Sequence, residues 1–306
     1  QGMRLAARVS GDSTVAYSWA YAMAVETLTA STPPARALWL RALYLERERL
    51  ANHLGDLGYL GNDGGLAFGL AQFMRLKEDV LRLNARLAGH RYLMDLVIPG
   101  GVMRDIERSA LEEFATQCDV LETEVRKLKG IYDDHAGLQD RFMTCGILSA
   151  ATAHTLGVVG LAARASGQAM DVRSAPGLAP YDVLDVKPVT ARSGDVAARV
   201  AVRFGEIFES LRLIRTIVER IAPGAICIEL PVPQAGSIGL GWVEGWRGEV
   251  LLAIHVDAGA RIRRAHAHDP SWQNWPALEY AVIGNIVPDF PLINKSFNLS
   301  YAGVDL

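Results

Sequence analysis

The sequence predicts a mainly α-helical protein, a bundle of long helices, with a small α+β module and a short antiparallel sheet near its C-terminus. Three observations carry this: apolar seams at helical spacing, a proline-led helix start, and a change of texture after Pro223. The first seam is Phe73, Leu76, Val80, Leu83 and Leu87; the second is Leu111, Phe114, Cys118, Leu121, Val125 and Leu128. The third is Phe204, Ile207, Leu211, Ile214, Val218 and Ile221. Alternating steps of three and four place each set on one side of a helix. A fourth helix is announced by Thr32 as N-cap before Pro33 and Pro34. It carries Leu43, Leu50, Leu54 and Leu57 and is expected to stop at the glycines near Gly61. Four such helices with modest connections make a bundle.

Between Pro176 and Gly194 the chain is rich in Pro, Asp and Ser, which predicts an irregular loop leading into the last long helix. Beyond Pro223 the runs Glu249–Val256 and Arg261–His266 flank Asp257-Ala258-Gly259 and predict a strand pair, with a helix over Pro276–Ile283. The expected division is therefore a helical domain over 1–222 and a small α+β module over 223–306 packed on it.

Composition narrows the function. The chain has 306 residues, half of them hydrophobic, enough for a sizeable core. A net charge of -3 argues against nucleic acid as a partner, because phosphate backbones select strongly basic faces. No apolar run approaches the roughly 18–20 residues of a spanning helix. Cys118, Cys145 and Cys227 are odd in number and far apart, so they predict neither a disulfide framework nor a CxxC clamp, and they fit a reducing cytoplasm. No P-loop spacing and no GxGxxG after a strand is found, so direct nicotinamide binding is unsupported. The chain begins at Gln1 and meets its first motif at Arg8, which predicts that a segment precedes it in the natural protein.

Four motifs in order then carry a resemblance. Arg47-Glu48-Arg49-Leu50-Ala51-Asn52-His53-Leu54-Gly55-Asp56-Leu57-Gly58 resembles the ERxxxHLxxLG helix of nickel-iron hydrogenase large subunits and their complex I relatives. Arg8-Val9-Ser10-Gly11-Asp12-Ser13 with Tyr17 resembles RxCGxC, Glu244-Gly245-Trp246-Arg247-Gly248-Glu249 resembles EAPRGE, and Asp269-Pro270-Ser271-Trp272-Gln273-Asn274 resembles DPCxxC. Leu60-Gly61-Asn62-Asp63 and Asn294-Lys295-Ser296-Phe297-Asn298-Leu299-Ser300 point to the formate hydrogenlyase and hydrogenase-4 branch and to the 49 kDa subunit of complex I.

The resemblance implies a hydrogenase-type large subunit that has lost its nickel site. Where those enzymes carry four thiolates, this chain has Ser10, Ser13, Ser271 and Asn274, and hydroxyl or amide groups are poor substitutes for soft, bridging sulfur. Complex I relatives use the vacated cavity for a quinone headgroup. The corresponding expectation is a cavity bounded by Arg8, Ser10, Asp12, Ser13, Tyr17, Asp63, Arg247, Ser271 and Asn274, with no metal and no tightly bound cofactor. Within it Asp63, Arg247 and Asp12 are the candidate catalytic groups. Electrons would come from an iron-sulfur cluster in a small partner subunit, and any link to NAD would run through the complex. The expected place is cytoplasmic, peripheral to the inner face of the cytoplasmic membrane, among the other subunits of a membrane-bound redox complex.

Each site residue has an alternative reading. Asp63, which the resemblance makes a buried proton-exchanging carboxyl, also suits a plain turn in Gly61-Asn62-Asp63-Gly64-Gly65. Arg247 is either a pocket cation or a surface arginine in a Gly-rich turn, and Arg8 and Asp12 could simply pair with each other. His266, His268 and Asp269 form a weak zinc signal, lacking a fourth ligand. His53 reads as a packing histidine, and Gly100-Gly101 as a turn that needs close backbone approach. Two functions stay open: an electron-transfer subunit whose vestigial site binds quinone or relays protons, and a non-catalytic structural subunit whose old site is a packed interface.

Overall fold

The computed structural model describes residues 1–175 and 177–305. In chain order the helices are α1 (Gly2–Ala6), α2 (Thr14–Leu28), α3 (Ala35–Asp63), α4 (Ala67–Ala88), α5 (Arg108–Asp134), α6 (Ala136–Phe142), α7 (Ala150–Thr155) and α8 (Gly160–Ala165). They continue with α9 (Val196–Arg220), α10 (Ser271–Val282) and α11 (Phe290–Phe297). A two-stranded hairpin, β1 (Val97–Ile98) with β2 (Gly101–Val102), follows α4. A three-stranded antiparallel sheet in the order β3 (Ile238–Glu244), β4 (Glu249–Val256), β5 (Ile262–His268) precedes α10.

The four seams lie on α4, α5, α9 and α3, and their residues are buried except Leu87, which is half-buried. A seam buries because one stripe of a helix can face a neighbour while the rest meets water. α3 departs from that rule: packed between α4 and α9, with α2, α11 and β2 against it, it is buried on most sides. Its polar residues therefore go inside with it. Thr32 does not cap it; Pro34 holds the N-cap position and no side chain bonds the first turn. Nor do the glycines stop it. The helix runs through Gly55, Gly58 and Gly61, where a Cβ would meet Lys77, crowd Phe73 and strike Tyr132 respectively, and it ends only at Gly64 and Gly65.

The expected strand pair is present as β4 and β5, with Leu252 opposite Ala267 and Ile254 opposite Ala265. The sheet has a third strand where the sequence suggests only a glycine-rich connection. On β3, Gly239 and Gly241 face the backbone of α2, where a side chain would strike the carbonyls of Ala24 and Ala20. Removing the Cβ atoms lets α2 lie directly on the sheet. The predicted C-terminal helix starts earlier than expected, at Ser271, and carries Pro276 inside it. The loop expected over 176–194 begins at a residue outside those described; from 177 it is irregular but for a short 3-10 turn at Tyr181–Val183. One hydrophobic core runs from α2 through α9 into the sheet and α11.

Candidate functional site

The loop between α1 and α2 brings Ser10, Asp12 and Ser13 against the β3–β4 turn that holds Arg247 and against the segment after α11. Arg247 and Asp12 form a two-pronged ion pair, with Nη1 2.7 Å from Oδ1 and Nη2 2.6 Å from Oδ2. Arg247 also donates through Nε to the Asn298 carbonyl at 2.6 Å and through Nη1 to Ser13 Oγ at 3.3 Å, and its guanidinium lies 3.9 Å from the Trp246 ring. Ser10 Oγ donates to Asp12 Oδ1 at 2.9 Å and sits 3.1 Å from Ser300 Oγ. Burial alone would raise the Asp12 carboxyl, but the Arg247 guanidinium and the Ser10 hydroxyl outweigh it and hold it below its usual value. Planar, delocalised and bidentate, the arginine fork suits this position better than a lysine would.

A second polar layer lies beneath. Tyr17 donates to Asp269 Oδ2 at 2.5 Å, while Asp269 Oδ1 accepts from the Ser271 amide at 2.8 Å. Burial and then the Asp269 charge push the Tyr17 phenol well above its ordinary value, so it stays a proton donor. The Ser271 hydroxyl accepts from the Ser300 amide at 2.9 Å, which ties the layers together.

The geometry corrects several expectations. The hydroxyl that meets Ser10 is that of Ser300, not of Ser271, which is one bond further away. Asn274 faces elsewhere, exchanging hydrogen bonds with the amide and carbonyl of Val159 at 3.1 and 3.2 Å. Arg8 is exposed and pairs with Asp95 at 3.2 Å, so neither the cavity role nor the pairing with Asp12 holds. Asp63 is the exposed last residue of α3, roughly 10 Å of helix beyond Asp56 at 1.5 Å per residue, and bonds no member of the cluster. Arg247 is buried rather than a surface arginine. His266 and His268 pack against Trp272, and Asp269 is committed to Tyr17 and Ser271 rather than to them.

What motif matching missed is an ionic network below the site. Glu206 on α9 lies 2.7 Å from His53 Nε2, 2.9 Å from Arg164 Nε and 3.5 Å from Arg49 Nη1, all of them buried. Arg164 continues to Glu244 at 2.8 Å; Arg173 joins Asp171 at 2.7 Å and Glu46 at 3.1 Å. Burial lowers the His53 imidazole despite the Glu206 carboxylate, so it is neutral and donates through Nε2, leaving Nδ1 without a partner among the described residues. Arg49 grips the turn from below, donating to the carbonyls of Glu244 at 2.6 Å and Gly245 at 3.0 Å. The clue lay in the ERxxxH helix itself: six charged or histidine side chains between Glu46 and Asp56 share a helix too apolar elsewhere to be a surface one.

The residues present do not fit a nickel-iron centre. The hydroxyls of Ser10, Ser13 and Ser300 are spent on Asp12, Arg247 and one another, and such hard donors do not replace bridging thiolates. Cys118 and Cys145 are buried in helix packing and loop, Cys227 is exposed, and none belongs to the cluster.

Residues 63–237 match the family described as respiratory-chain NADH dehydrogenase, 49 Kd subunit. The chain belongs to that family. Among its relatives, formate hydrogenlyase subunit 5 of Escherichia coli is 29% identical over 98% of this chain, which spans only 53% of that protein. The carbon monoxide-induced hydrogenase of Rhodospirillum rubrum is 29% identical over 97% of the chain and 83% of its own length. The NADH-quinone oxidoreductase subunit 4 of Thermus thermophilus is 28% identical over 95% and 78%. A chain of the membrane-bound sulfane sulfur reductase, an archaeal respiratory membrane complex, superposes with a TM-score of 0.93 at 25% identity, covering 99% of this chain and 84% of that one. The helical bundle with its small sheet is thus a fold of respiratory membrane complexes. Among the described residues no helix is long and apolar enough to cross a membrane.

Proposed function

We propose that this protein is a subunit of a membrane-associated electron-transfer complex of the NADH-quinone oxidoreductase or formate hydrogenlyase type, in which the former metal centre has become a proton-relaying node. The observation that carries this reading is the Asp12–Arg247 pair ringed by Ser10, Ser13 and Ser300. A fixed guanidinium and a chain of hydroxyls stabilise and move charge without a metal. Electrons would come from an iron-sulfur cluster of a small partner subunit, and the acceptor would be a quinone, reduced by two electrons and two protons. The chain itself holds no cofactor tightly in this reading, and it works on the inner face of the cytoplasmic membrane.

A second reading, a non-catalytic interface, is favoured by one observation: the cluster's polar groups bind one another rather than open space. Native purification with co-purifying subunits, elemental analysis and quinone titration separate the readings. The expected result is no nickel, iron confined to a small subunit, and quinone reduction that falls when Arg247 is replaced by Met. Stoichiometric nickel overturns the lost-site reading. Unchanged quinone reduction in Arg247→Met leaves the interface role.

A further inference from the structure

Two residues from Glu46 on the same helix lies a carboxyl the network does not use. Glu48 is 6% exposed. Glu46 is surrounded by Arg173 and Arg49, whereas Glu48 has no ion pair among the described residues. Its oxygens accept only from two backbone amides at the start of α2, Val15 N at 2.6 Å and Ala16 N at 3.2 Å. A buried carboxyl without a counter-charge favours its neutral form.

Glu48 also lines a narrow cleft, with Asp12, Asn52, Lys77, Arg91 and Tyr92. The cleft is tight, with room for roughly one water molecule. At its inner end, Asn52 Nδ2 donates both to the Asp12 carbonyl at 2.7 Å and to the Glu48 carbonyl at 3.0 Å, which ties Glu48 to the loop that carries the ion pair. At its outer end Tyr92 is exposed and Arg91 pairs with Glu78 at 2.7 Å. Lys77 also lines the cleft, half-buried, with no hydrogen bond or ion pair among the described residues. Burial lowers its ammonium against the opposing pull of Asp56 and Asp12.

We infer that Glu48 is a proton-exchanging carboxyl of this protein: it takes a proton from solvent through the Lys77–Arg91 cleft and gives it up on the Asp12 side. The inference rests on the proton-relay reading and names its entry point. In one cycle the neutral carboxyl passes its proton on the Asp12 side towards the reduced acceptor, becomes a carboxylate held by the Val15 and Ala16 amides, and is reprotonated from solvent through the cleft. Two such cycles match the two electrons that a quinone takes from the partner's iron-sulfur cluster. The groups facing Glu48 are consistent with this duty. Burial pushes its carboxyl up to about 8, the two amides and Arg49 pull it back, and Asp12 adds to the rise. A group poised near the working pH is the efficient proton carrier.

The test is infrared titration of the natively purified protein on either side of pH 8, with Glu48→Gln and Lys77→Met beside the wild type. Glutamine keeps one oxygen for the shorter bond, from the Val15 amide, and gives up only the longer one from Ala16, so the variant keeps the main tie to α2. The expected signature is a protonated-carboxyl stretch that vanishes with a midpoint of about 8 and is missing from Glu48→Gln. Loss of the Lys77 cation moves that midpoint up. Quinone reduction in the wild type should fall about tenfold per pH unit above the midpoint, a limb that Glu48→Gln lacks. A band that survives in Glu48→Gln, or a midpoint indifferent to Lys77→Met, overturns the inference. So does an alkaline limb that persists in Glu48→Gln. A wild type that shows the band yet reduces no quinone sinks the electron-transfer reading while leaving the carboxyl assigned.

Discussion

Replacing Arg49 with lysine tests whether the buried network holds the β3–β4 turn in place. Arg49 is wholly buried and makes two bonds to turn carbonyls, at 2.6 and 3.0 Å, besides lying 3.5 Å from Glu206 and Glu46. A lysine ammonium keeps the charge between the two glutamates and reaches one carbonyl, so the second is stranded in the core. Hydrogen bonds to charged groups contribute about 1.5–3 kcal/mol, and a stranded buried acceptor costs about 1–3 kcal/mol. These overlap, giving a net loss of about 2–4 kcal/mol. At roughly 2–4 °C per kcal/mol for large domains, Tm should fall by about 4–16 °C in a thermal melt. The loosened turn also carries Arg247, so the quinone reduction proposed for this protein should drop alongside Tm and should recover less than Tm does when a stabilising osmolyte is added. A Tm within about 1 °C of wild type would refute the claim that the fork geometry, rather than the charge alone, clamps the turn.

Gly241→Ala should push α2 off the sheet, because the added methyl meets the Ala20 carbonyl. Overpacking of this kind costs about 1–3 kcal/mol and occasionally more, read as a lower denaturation midpoint at unchanged m-value. Stability should also fall on acidification. Despite burial, Arg247 holds Asp12 low, Arg173 and Arg49 hold Glu46 low, and Arg164 and His53 hold Glu206 well below the ordinary range. Carboxyls depressed in the folded state stabilise it above their unfolded values of 3.8 and 4.5, and that contribution fades as pH drops through the folded ones. Denaturant midpoints should therefore decline as pH falls below 4.5; a flat profile there would contradict the assigned ion pairs.

α4 and α5 were legible because their cores are one-sided, and α9, though buried over most of its surface, still carries one unbroken apolar seam whose spacing reveals it. α2 left no such trace. Thr14 to Ala22 are all buried, so apolar residues occur on every face and no period stands out. β3 was hidden for the opposite reason, since the glycines that let α2 approach make the strand look like a loop. The site was half legible. Asp12, Ser10, Ser13 and Arg247 converge as the RxCGxC-like and EAPRGE-like fragments suggested. Asp63 and Arg8 do not, because position in a motif does not say which side of a helix end faces inward. Ser300 escaped because its 29-residue separation from Ser271 is closed only by the turn of α10 and α11 back onto the first loop.

The contrast between Glu46 and Glu48 bears on why this cluster was kept after the thiolates went. If the old centre were only an interface, an uncompensated carboxyl at position 48 would be a liability that a glutamine or methionine removes. With its carboxyl raised from the ordinary 4.5 to about 8, burial disfavours the charged folded state by a few kcal/mol above pH 8, at about 1.4 kcal/mol per pH unit. The sign is opposite to that of Asp12 and Glu206: the raised carboxyl costs nothing below its unfolded value and destabilises increasingly as pH rises towards 8. Glu48→Gln should accordingly raise Tm at pH 8 and above, and lower it slightly at pH 4.5, where only the lost Ala16 bond counts. A stabilising substitution that slows proton-coupled quinone reduction would mark Glu48 as retained for chemistry at the expense of stability, the pattern expected of functional sites. A variant both more stable and equally active would mean that Glu48 has no such role, and the packed-interface reading would then account for the whole cluster.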